Sequence, residues 1–598
     1  MDLHLIPDAI ATEDERVAID AAITDRANAE GRRHLLLPAL HAAQARVGWV
    51  SEGALNHICA TLDIPPAEAH GVASFYALFS LTPRPPRVTH VCDDIACLAN
   101  GAGRLCDEME RSLGHPGVPA SDGQATWLRS PCLGQCERAP AALCQAAGPH
   151  PNESTLAPAT AEALIAGLAD RTPSHLASVS APQTVPPRAA GLRLLRRIGI
   201  VNPESLDDYR AHGGYVALRR ALALGPERVI REATDSNLLG RGGAAFPTGR
   251  KWEAVARAPV RPHYLVCNAD ESEPGTFKDR VLMEEDPFAL VEAMTICGYA
   301  TGCEQGFVYI RGEYPLAMTR VAGAIDQARD RGLLGNNVCG AGVRFDIEIR
   351  RGAGAYICGE ETALFNSLEG RRGEPRNKPP FPVQVGLFGK PTVVNNVETL
   401  VNILDIIVHG GPEFATSGTS GSTGTKLFCV SGCARTPGLY EVPFGVTLRD
   451  LIEIAGGMRD SRPLQAVLLG GAAGMFMSPD EIDLPLTFEG TRAAGTTLGS
   501  GVVMLFDDTV DLRQVVLRIA AFFRDESCGQ CVPCRVGTVR QEEALHRIAA
   551  GQPIGTIAAE HALIDDVAQV MRDASICGLG HTASSAVQSA LRKFRLFV

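Results

Sequence analysis

Two groups of four cysteines constrain this 598-residue chain more than any other feature of its sequence. Ten of the 18 cysteines are scattered. The other eight form a first cysteine group (Cys92, Cys97, Cys132, Cys136) and a second cysteine group (Cys528, Cys531, Cys534, Cys577). The N-terminal residues are acidic where an export signal would be basic, so we expect a cytoplasmic protein with reduced thiols. Metal ligation then explains the two groups better than disulfides do.

The spacing within each group indicates the kind of metal site. In the second group, Cys528, Cys531 and Cys534 have the C-x2-C-x2-C spacing of a 4Fe–4S cluster, and the distant Cys577 completes the ligands. Zinc is the main alternative, but its cysteine ligands usually come as two separate pairs. The first group consists of two pairs, which suits a 2Fe–2S cluster and, from spacing alone, also zinc.

The bulk properties predict several domains and exclude some functions. A chain of 598 residues is too long for one hydrophobic core. The net charge of −12 argues against a nucleic-acid partner, and no apolar run reaches the roughly 18 residues of a membrane span. Residues 1–85 are predicted to be helical, 172–191 have the composition of a linker, and 511–598 are again helical. Strands alternate with helices over 192–435, which indicates a mixed or parallel sheet.

Two glycine-rich passages lie in the central segment. GRGGAAFPTGRKW (240–252) offers backbone N–H groups, Arg241 and Lys251 for a phosphate. A predicted helix precedes it, so it is not a Rossmann loop, and a tight structural loop is the alternative. RRGAGAYICGEETALF (350–365) follows a predicted strand and leads into a helix near Glu360. Glu360 and Glu361 either cap that helix or bind ribose hydroxyls.

A third passage, NADESEPGTFKDR (268–280), places acids after another predicted strand. Asn268, Asp270, Glu271 and Glu273 therefore stand where α/β proteins hold ligands. Carboxylates that face an adenosine ribose would disfavour a 2′-phosphate, which favours NAD over NADP.

Taken in order, these passages resemble one known family. Together with RGEYP, NKPPFP, PTVVNNVETL and ICGLG they are similar to the flavin-bearing NADH-binding subunit of respiratory complex I, and to the diaphorase subunits of soluble NAD-linked hydrogenases and formate dehydrogenases. This resemblance covers about 195–598, while residues 1–170 resemble the thioredoxin-like 2Fe–2S subunit of the same systems. The chain thus looks like a fusion, which favours the soluble enzymes. The residues of its motifs are most similar to those of the β subunit of NAD-dependent molybdenum or tungsten formate dehydrogenase, with hydrogenase and complex I as alternatives.

The resemblance implies a multidomain α/β fold. Its expected parts are an N-terminal helical bundle (1–85), a thioredoxin-like 2Fe–2S domain (86–171), a Rossmann-like FMN- and NAD-binding domain (192–435), a ubiquitin-like β-grasp insert (436–510) and a C-terminal helical bundle with the 4Fe–4S cluster (511–598). The loop at 240–246 departs from the family in one place, because Ala245 stands where the family commonly has glycine.

The resemblance also implies the cofactor contacts. The residues expected at FMN are Gly240, Arg241, Gly242, Lys251, Asn268, Asp270, Glu271, Tyr356, Gly359, Glu360, Asn395, Asn396 and Thr399. Those expected at NAD(H) are Phe246, Glu273, Glu361, Lys378 and Phe381. The first cysteine group would hold the 2Fe–2S cluster and the second the 4Fe–4S cluster.

The resemblance finally implies a partner and a division of labour. Hydride passes between NAD and FMN, so no side chain is expected to act as a catalytic acid, base or nucleophile. Single electrons pass through the clusters to a large molybdenum or tungsten subunit with further iron–sulfur clusters, or alternatively to hydrogenase subunits. The expected assembly is a hetero-oligomer, with a dimer of heterodimers as one form.

Overall fold

The computed structural model describes residues 7–23, 31–169 and 191–597. The predicted linker at 172–191 lies outside these ranges except for its last residue. Among the helices in these ranges, none combines the length and the apolar character needed to cross a bilayer.

The N-terminal region is helical, as predicted. Its helices are α1 Glu13–Ile23, α2 Leu36–Val47, α3 Glu52–Leu62 and α4 Pro66–Ala73. The Ser51 hydroxyl caps α3 by accepting the Ala54 N–H, and Pro66 occupies the first turn of α4. These helices share one hydrophobic core with the central domain. The buried Tyr76 Oη, for example, donates to Ser367 Oγ at 2.8 Å.

The next region is a small α/β unit around a four-stranded sheet. Its elements are β1 Arg87–Cys92, α5 Ile95–Ala99, α6 Ala102–Leu113, β2 Ala125–Ser130, β3 Ala142–Ala146, β4 Asn152–Leu156 and α7 Ala161–Ala169. The strand order is β2-β1-β3-β4, with β1 and β2 parallel. Cys92 at the end of β1 pairs in register with Ser130 at the end of β2. Both loops of the first cysteine group therefore begin at the same edge of this sheet.

The central domain is built on a parallel sheet. Its strands are β5 His263–Ala269, β6 Cys303–Ile310, β7 Asp346–Arg351 and β8 Thr392–Asn396. Its helices are α8 Leu206–Ala211, α9 Val216–Leu224, α10 Pro226–Asp235, α11 Thr248–Ala256, α12 Lys278–Glu285, α13 Pro287–Thr301, α14 Pro315–Asp330, α15 Glu361–Leu368, α16 Val397–His409 and α17 Gly411–Phe414. The strand order is β7-β6-β5-β8. The chain moves outward from β5 to β7 and then returns to the other side of β5, and ligands of open parallel sheets bind at such a reversal.

A five-stranded sheet follows. Its elements are β9 Thr425–Gly432, β10 Gly438–Pro443, α18 Leu448–Ile454, β11 Leu464–Leu469, β12 Met475–Met477, α19 Phe488–Ala493 and β13 Val502–Asp507. The strand order is β10-β9-β13-β11-β12, around a separate apolar cluster. The predicted boundary at residue 436 falls inside this sheet, because β9 pairs with β10 and β13 and not with the central strands.

The C-terminal region is helical, as predicted. Its helices are α20 Leu512–Glu526, α21 Val532–Ala549, α22 Ile557–Ala574, α23 Gly578–Thr582 and α24 Ser585–Lys593. Helices α21 and α22 approach closely at Gly537, where a Cβ atom would lie 2.6 Å from Met571 Sδ. Cys531 directly precedes α21 and Cys577 directly precedes α23.

Candidate functional site

A cleft of about 460 Å³ opens where the carboxyl ends of β5 and β8 meet. This volume lies in the range of roughly 300–1,000 Å³ that is typical of cofactor sites. The predicted site residues that line it are Gly242, Asn268, Asp270, Glu271, Glu273, Tyr356, Gly359, Glu360 and Asn396. The sheet reversal thus brings together residues that are far apart in the sequence, since Asn268 on β5 pairs in register with Asn396 on β8.

Two further walls of the cleft come from regions that we did not predict to contribute. The five-stranded domain supplies Gly470, Ala473, Thr497, Gly499 and Ser500. Helix α23 supplies Gly578, Leu579 and Thr582, directly after the ligand candidate Cys577. The cleft therefore reaches the second cysteine group.

A buried cation at the cleft, Lys278, was also missed. Its Nζ lies 2.7 Å from Asp279 Oδ1, 3.1 Å from Asn396 Oδ1 and 3.2 Å from Glu398 Oε2. Burial lowers the pKa of Lys278, but the carboxylates around it outweigh burial and raise the pKa above its usual value. A flavin phosphate needs a positive charge, and Lys278 is the lysine of the 268–280 passage, so that requirement could have identified it.

Two carboxyl groups at the cleft are deeply buried. Burial raises the pKa of Asp270 well above its usual value, and burial followed by the nearby Asp279 raises that of Glu271 to about 8. The Glu271 carboxylate accepts the backbone N–H groups of Asp279 and Arg280 at 2.8 and 2.9 Å. Glu271 therefore anchors the first turn of α12, which is a structural role in addition to its place in the wall.

Glu273 and Tyr356 join two walls of the cleft. Tyr356 Oη donates to Glu273 Oε2 at 2.5 Å, and Ala473 N–H donates to Glu273 Oε1 at 2.9 Å. Burial raises the pKa of Glu273 to about 7, although these two hydrogen bonds lower it. The Tyr356 ring contacts Phe522 of α20 with 5.2 Å between ring centroids. This contact connects the cleft to the helix that precedes the second cysteine group.

A charged cluster forms one rim of the cleft. Glu360 caps α15 by accepting the N–H groups of Thr362 and Ala363, so the capping role considered for it is realised. Lys378 Nζ contacts Glu360 Oε1 at 2.8 Å and Glu361 Oε1 at 3.0 Å, and Lys251 Nζ lies 3.6 Å from Glu361 Oε2. Burial raises the pKa of Glu361, but the two lysines outweigh it and leave the pKa below its usual value.

The 240–252 loop is placed differently from the expectation that its cations line a phosphate site. The buried Arg241 guanidinium donates to the carbonyls of Thr423 and Thr425 at 2.7 and 3.2 Å. Arg241 therefore ties the loop to the start of β9, while its backbone N–H donates to Thr399 Oγ1 at 2.8 Å. The remaining predicted residues also lie outside the cleft lining: Gly240, Lys251, Asn395, Thr399, Phe246, Glu361, Lys378 and Phe381. Phe246 and Phe381 are each 52% exposed.

The loop's departure from the family has a visible backbone consequence. Ala245 has φ +52°, in the left-handed region that favours glycine. An alanine there costs roughly 1–2 kcal/mol relative to the right-handed region. The residue next to it, Ala244, lines the cleft, whereas Ala245 does not.

The first cysteine group is buried. Cys92, Cys97, Cys132 and Cys136 are at most 4% exposed. The Sγ atoms of Cys132 and Cys136 are 3.3 Å apart, and the thiol of Cys92 is hydrogen-bonded to that of Cys97. The hydrogen bond to Cys97 and burial raise the pKa of Cys92 well above its usual value. Four thiols in two facing pairs match the donor set of a 2Fe–2S cluster.

The second cysteine group is more exposed. Cys528, Cys531 and Cys577 are half-buried, and only Cys534 is fully buried. Electrostatic interactions connect Cys534 to the other three thiols, and burial raises its pKa to about 12. Cys577 accepts hydrogen bonds from the backbone N–H groups of Leu579 and Gly580. Leu579 lines the cleft, and Gly580 is the next residue.

Each cysteine group supplies four neighbouring thiols. Four thiols are the ligand set of an iron–sulfur cluster and also of a four-cysteine zinc site. The cleft has the volume of a cofactor site and is lined by polar groups. At its wall Gly242 lies against β8, because a Cβ atom there would be 3.2 Å from Asn396 Cβ, which is tighter than an ordinary contact.

Family models match four parts of the chain. They are the Nuo51 FMN-binding domain (233–405), the thioredoxin-like 2Fe–2S ferredoxin (20–168), the iron–sulfur binding region of NADH-ubiquinone oxidoreductase-F (514–597) and the SLBB domain (427–471). Together they confirm the multidomain α/β fold and the cofactors FMN, NAD(H), 2Fe–2S and 4Fe–4S.

Whole proteins match as well. The F subunit of the NADH-quinone oxidoreductase of Aquifex aeolicus is 46% identical over 402 residues, which are 67% of this chain and 92% of that protein. The HndC subunit of the NADP-reducing hydrogenase of Solidesulfovibrio fructosivorans is 45% identical over 400 residues, which are 67% of this chain and 81% of that protein. A crystal structure of an NAD+-reducing nickel–iron hydrogenase in the H2-reduced state matches with a TM-score of 0.80 and 34% identity, over 94% of this chain and 91% of that one. The chain therefore belongs to the family of NADH-binding diaphorase subunits that carry FMN and iron–sulfur clusters.

Proposed function

We propose that this chain is the NAD(H) diaphorase subunit of a soluble, cytoplasmic NAD-dependent formate dehydrogenase, in which formate and NAD+ give CO2 and NADH. The observation that carries the diaphorase role is the cleft at the sheet reversal. One wall contains Gly578, which directly follows Cys577. Another wall contains Glu271. The guanidinium of Arg311 donates both to the Glu271 carbonyl and to the Cys132 carbonyl. The cleft thus adjoins the second cysteine group directly and is one side chain away from the first.

The residues that line this cleft are proposed to bind and orient the cofactors. When bound, FMN would supply the conversion between hydride transfer and single-electron transfer that iron–sulfur centres require. Gly242, Asn268, Asn396 and Lys278 would hold the flavin. Glu273, Tyr356 and Glu360 of the lining, with Glu361 beside them, would hold the nucleotide. Because the reaction needs two rings held face to face, positioning is the main contribution of the protein.

The formate partner is supported by the residues of the sequence motifs and by the fusion of two modules in one chain. We assign formate oxidation itself to a large molybdenum or tungsten subunit. A second candidate is an NAD+-reducing nickel–iron hydrogenase, because a crystal structure with that description matches 94% of this chain.

Anaerobic co-purification tests the partner. The full chain is tagged in its native cell, and the purified complex is analysed for molybdenum, tungsten and nickel, for native mass, and for NAD+ reduction by formate or H2. We expect molybdenum or tungsten, formate-dependent activity and a mass that fits a hetero-oligomer. Nickel with H2-dependent activity would replace the formate proposal by the second candidate. A complex that uses neither donor would contradict both.

The control for this experiment is a variant that should keep the assembly intact. Cys339 is an exposed cysteine outside both groups, so Cys339→Ala should leave the metals, the mass and the activity unchanged.

A further inference from the structure

Arg311 is a buried cation between the cleft and the first cysteine group. It follows β6, is 3% exposed, and lies between the central domain and the thioredoxin-like domain. Its Nη1 donates to the Glu271 carbonyl at 2.7 Å, and its Nη2 donates to the Cys132 carbonyl at 2.6 Å. One guanidinium group therefore joins the backbone of a residue that lines the cleft to the backbone of a residue in the first cysteine group.

The orientation of this guanidinium is fixed by an acid on its own loop. Glu313 accepts from Arg311 Nη2 at 2.9 Å and from Arg311 Nε at 3.3 Å, and it is 4% exposed. The ring of Tyr314 lies under the guanidinium, 5.0 Å from Cζ to the ring centroid. A planar fork with five donors suits this task, because it serves two carbonyls and a carboxylate at once.

Two neighbours hold the same cysteine loop. Arg280 Nε donates to the Gly134 carbonyl at 2.9 Å, and its guanidinium also pairs with Glu137. Gly134 packs directly on Tyr314, because a Cβ atom there would lie 2.0 Å from Tyr314 Oη. The loop from Cys132 to Cys136 is thus held by the central domain as well as by its own sheet.

The charge of Arg311 has an electrostatic consequence for this loop. A cluster gains negative charge when it is reduced, so a nearby positive charge stabilises the reduced form. The effect is large only where water is excluded, because water screens exposed charges. Arg311 and all four thiols of the first group are buried.

We propose that Arg311 is the positioning residue of the first cysteine group: it fixes the Cys132 backbone against the strand end that lines the cleft, and its positive charge raises the reduction potential of the cluster held there. Glu313 opposes this effect of Arg311 with its negative charge. The inference rests on the proposed assignment of Cys92, Cys97, Cys132 and Cys136 as ligands of the 2Fe–2S cluster.

The test is a potentiometric titration of the full holoenzyme, followed by the electron paramagnetic resonance signal of the reduced 2Fe–2S cluster. At a fixed potential, Arg311→Gln should lower the ratio of reduced to oxidised cluster about tenfold, equivalent to about 59 mV for one electron. Glu313→Gln should raise the ratio, and Arg311→Lys should leave it near the native value because the charge is kept.

Arg129 provides the matched control. It pairs with Asp93, next to Cys92, at 3.2 Å, but its side chain is 43% exposed. Arg129→Gln should therefore change the ratio less than about twofold. A merely structural role for Arg311 would reduce cluster content without shifts of opposite sign in the Arg311 and Glu313 variants.

The outcomes separate this inference from the ligand assignment. Cys132→Ala, which has no donor atom, should lose the 2Fe–2S signal, and a signal that persists would contradict the assignment. If that signal is lost as expected, equal ratios in the native protein, Arg311→Gln and Glu313→Gln would overturn the inference alone. Should Arg311→Gln fail to hold a cluster, Glu313→Gln decides: a raised ratio supports the inference and an unchanged one contradicts it.

Discussion

The two cysteine groups lie in different environments: the second directly adjoins the cleft at Gly578, whereas the first is connected to it through Arg311. All thiols of the first group are buried, and Arg311 and Arg280 of the central domain contact their loop. In the second group three of four thiols are half-buried. The nearby Arg372 makes a long hydrogen bond of 3.5 Å to the Cys528 carbonyl, and its side chain is 46% exposed. The buried group thus has two buried arginines from the central domain at its loop, whereas the half-buried group has one exposed arginine.

Ligand removal gives the largest expected contrast between the two groups. Electrons reach a separate protein most readily from an accessible cluster, so Cys534→Ala should lower NADH-driven reduction of the partner subunit at least about a hundredfold. Cys97→Ala should remove the 2Fe–2S signal and have a smaller effect. Ferricyanide reduction by NADH, which monitors the flavin, should persist in both variants. Equal losses of partner reduction would break the comparison.

Removal of iron by a chelator sharpens the contrast without any substitution. The half-buried second group should lose iron about tenfold faster than the first, because less local opening is needed to reach it. The two losses can be followed separately by the electron paramagnetic resonance signals of the reduced clusters. A first group that loses iron at the same rate or faster would show that burial does not protect it.

The more exposed part of the cleft includes the charged rim, and there we expect an effect on nucleotide preference. Glu361 lies between Lys251 and Lys378, so Glu361→Gln removes the negative charge that both lysines share, while Lys378 stays paired with Glu360. The rim then becomes more positive and more favourable to a 2′-phosphate. We expect kcat/KM for NADPH to rise about tenfold relative to NADH, equivalent to about 1.4 kcal/mol. The control is Glu253→Gln on α11, which removes an exposed carboxylate paired with Arg257. Unchanged kinetics for both nucleotides would remove Glu361 from the site.

In the buried part of the cleft, Glu273 should affect the pH dependence of stability, and this is the smallest effect that we expect. Its pKa of about 7 in the folded protein compares with 4.5 for an ordinary glutamate. The stability that this group contributes is therefore fully present below pH 4.5 and is lost as the pH rises through 7. Glu273→Gln has no proton to lose. Its amide oxygen can accept from Ala473 N–H, and its amide N–H can donate to Tyr356 Oη, whose hydroxyl then acts as the acceptor. Without nucleotide, its melting temperature relative to the native protein should rise by about 2–4 °C between about pH 5 and pH 8.

A surface glutamate provides the control for the pH experiment. Glu304→Gln removes a side chain that is 54% exposed, and its difference from the native protein should not change with pH. If Glu273→Gln shows the same flat difference, burial does not hold that proton.

Much of this architecture could be predicted from local sequence patterns. The strand that ends at Cys92, the helix that starts at Pro66 and the helical C-terminal region depend on neighbours in the chain. The cleft could be predicted only in part, because acids after strands mark one wall while Ser500 and Gly578 come from remote segments. Pairing across the chain leaves no local signal, so Arg311 with Cys132 and Arg241 with Thr423 were not expected. The left-handed backbone of Ala245 lies in a turn closed by the hydrogen bond from Gly240 N–H to the Phe246 carbonyl, and no residue type in the loop marks it.

The central claim is that one polypeptide connects a hydride-accepting flavin to two iron–sulfur sites of unequal burial. Anaerobic reduction of the purified full chain with NADH, followed by optical and electron paramagnetic resonance spectroscopy together with iron, sulfide and FMN analysis, tests it most directly. We expect one FMN, one two-iron cluster and one four-iron cluster per chain, with NADH bleaching the flavin and producing cluster signals. A colourless protein that contains zinc, or iron centres that NADH leaves oxidised, would contradict the claim.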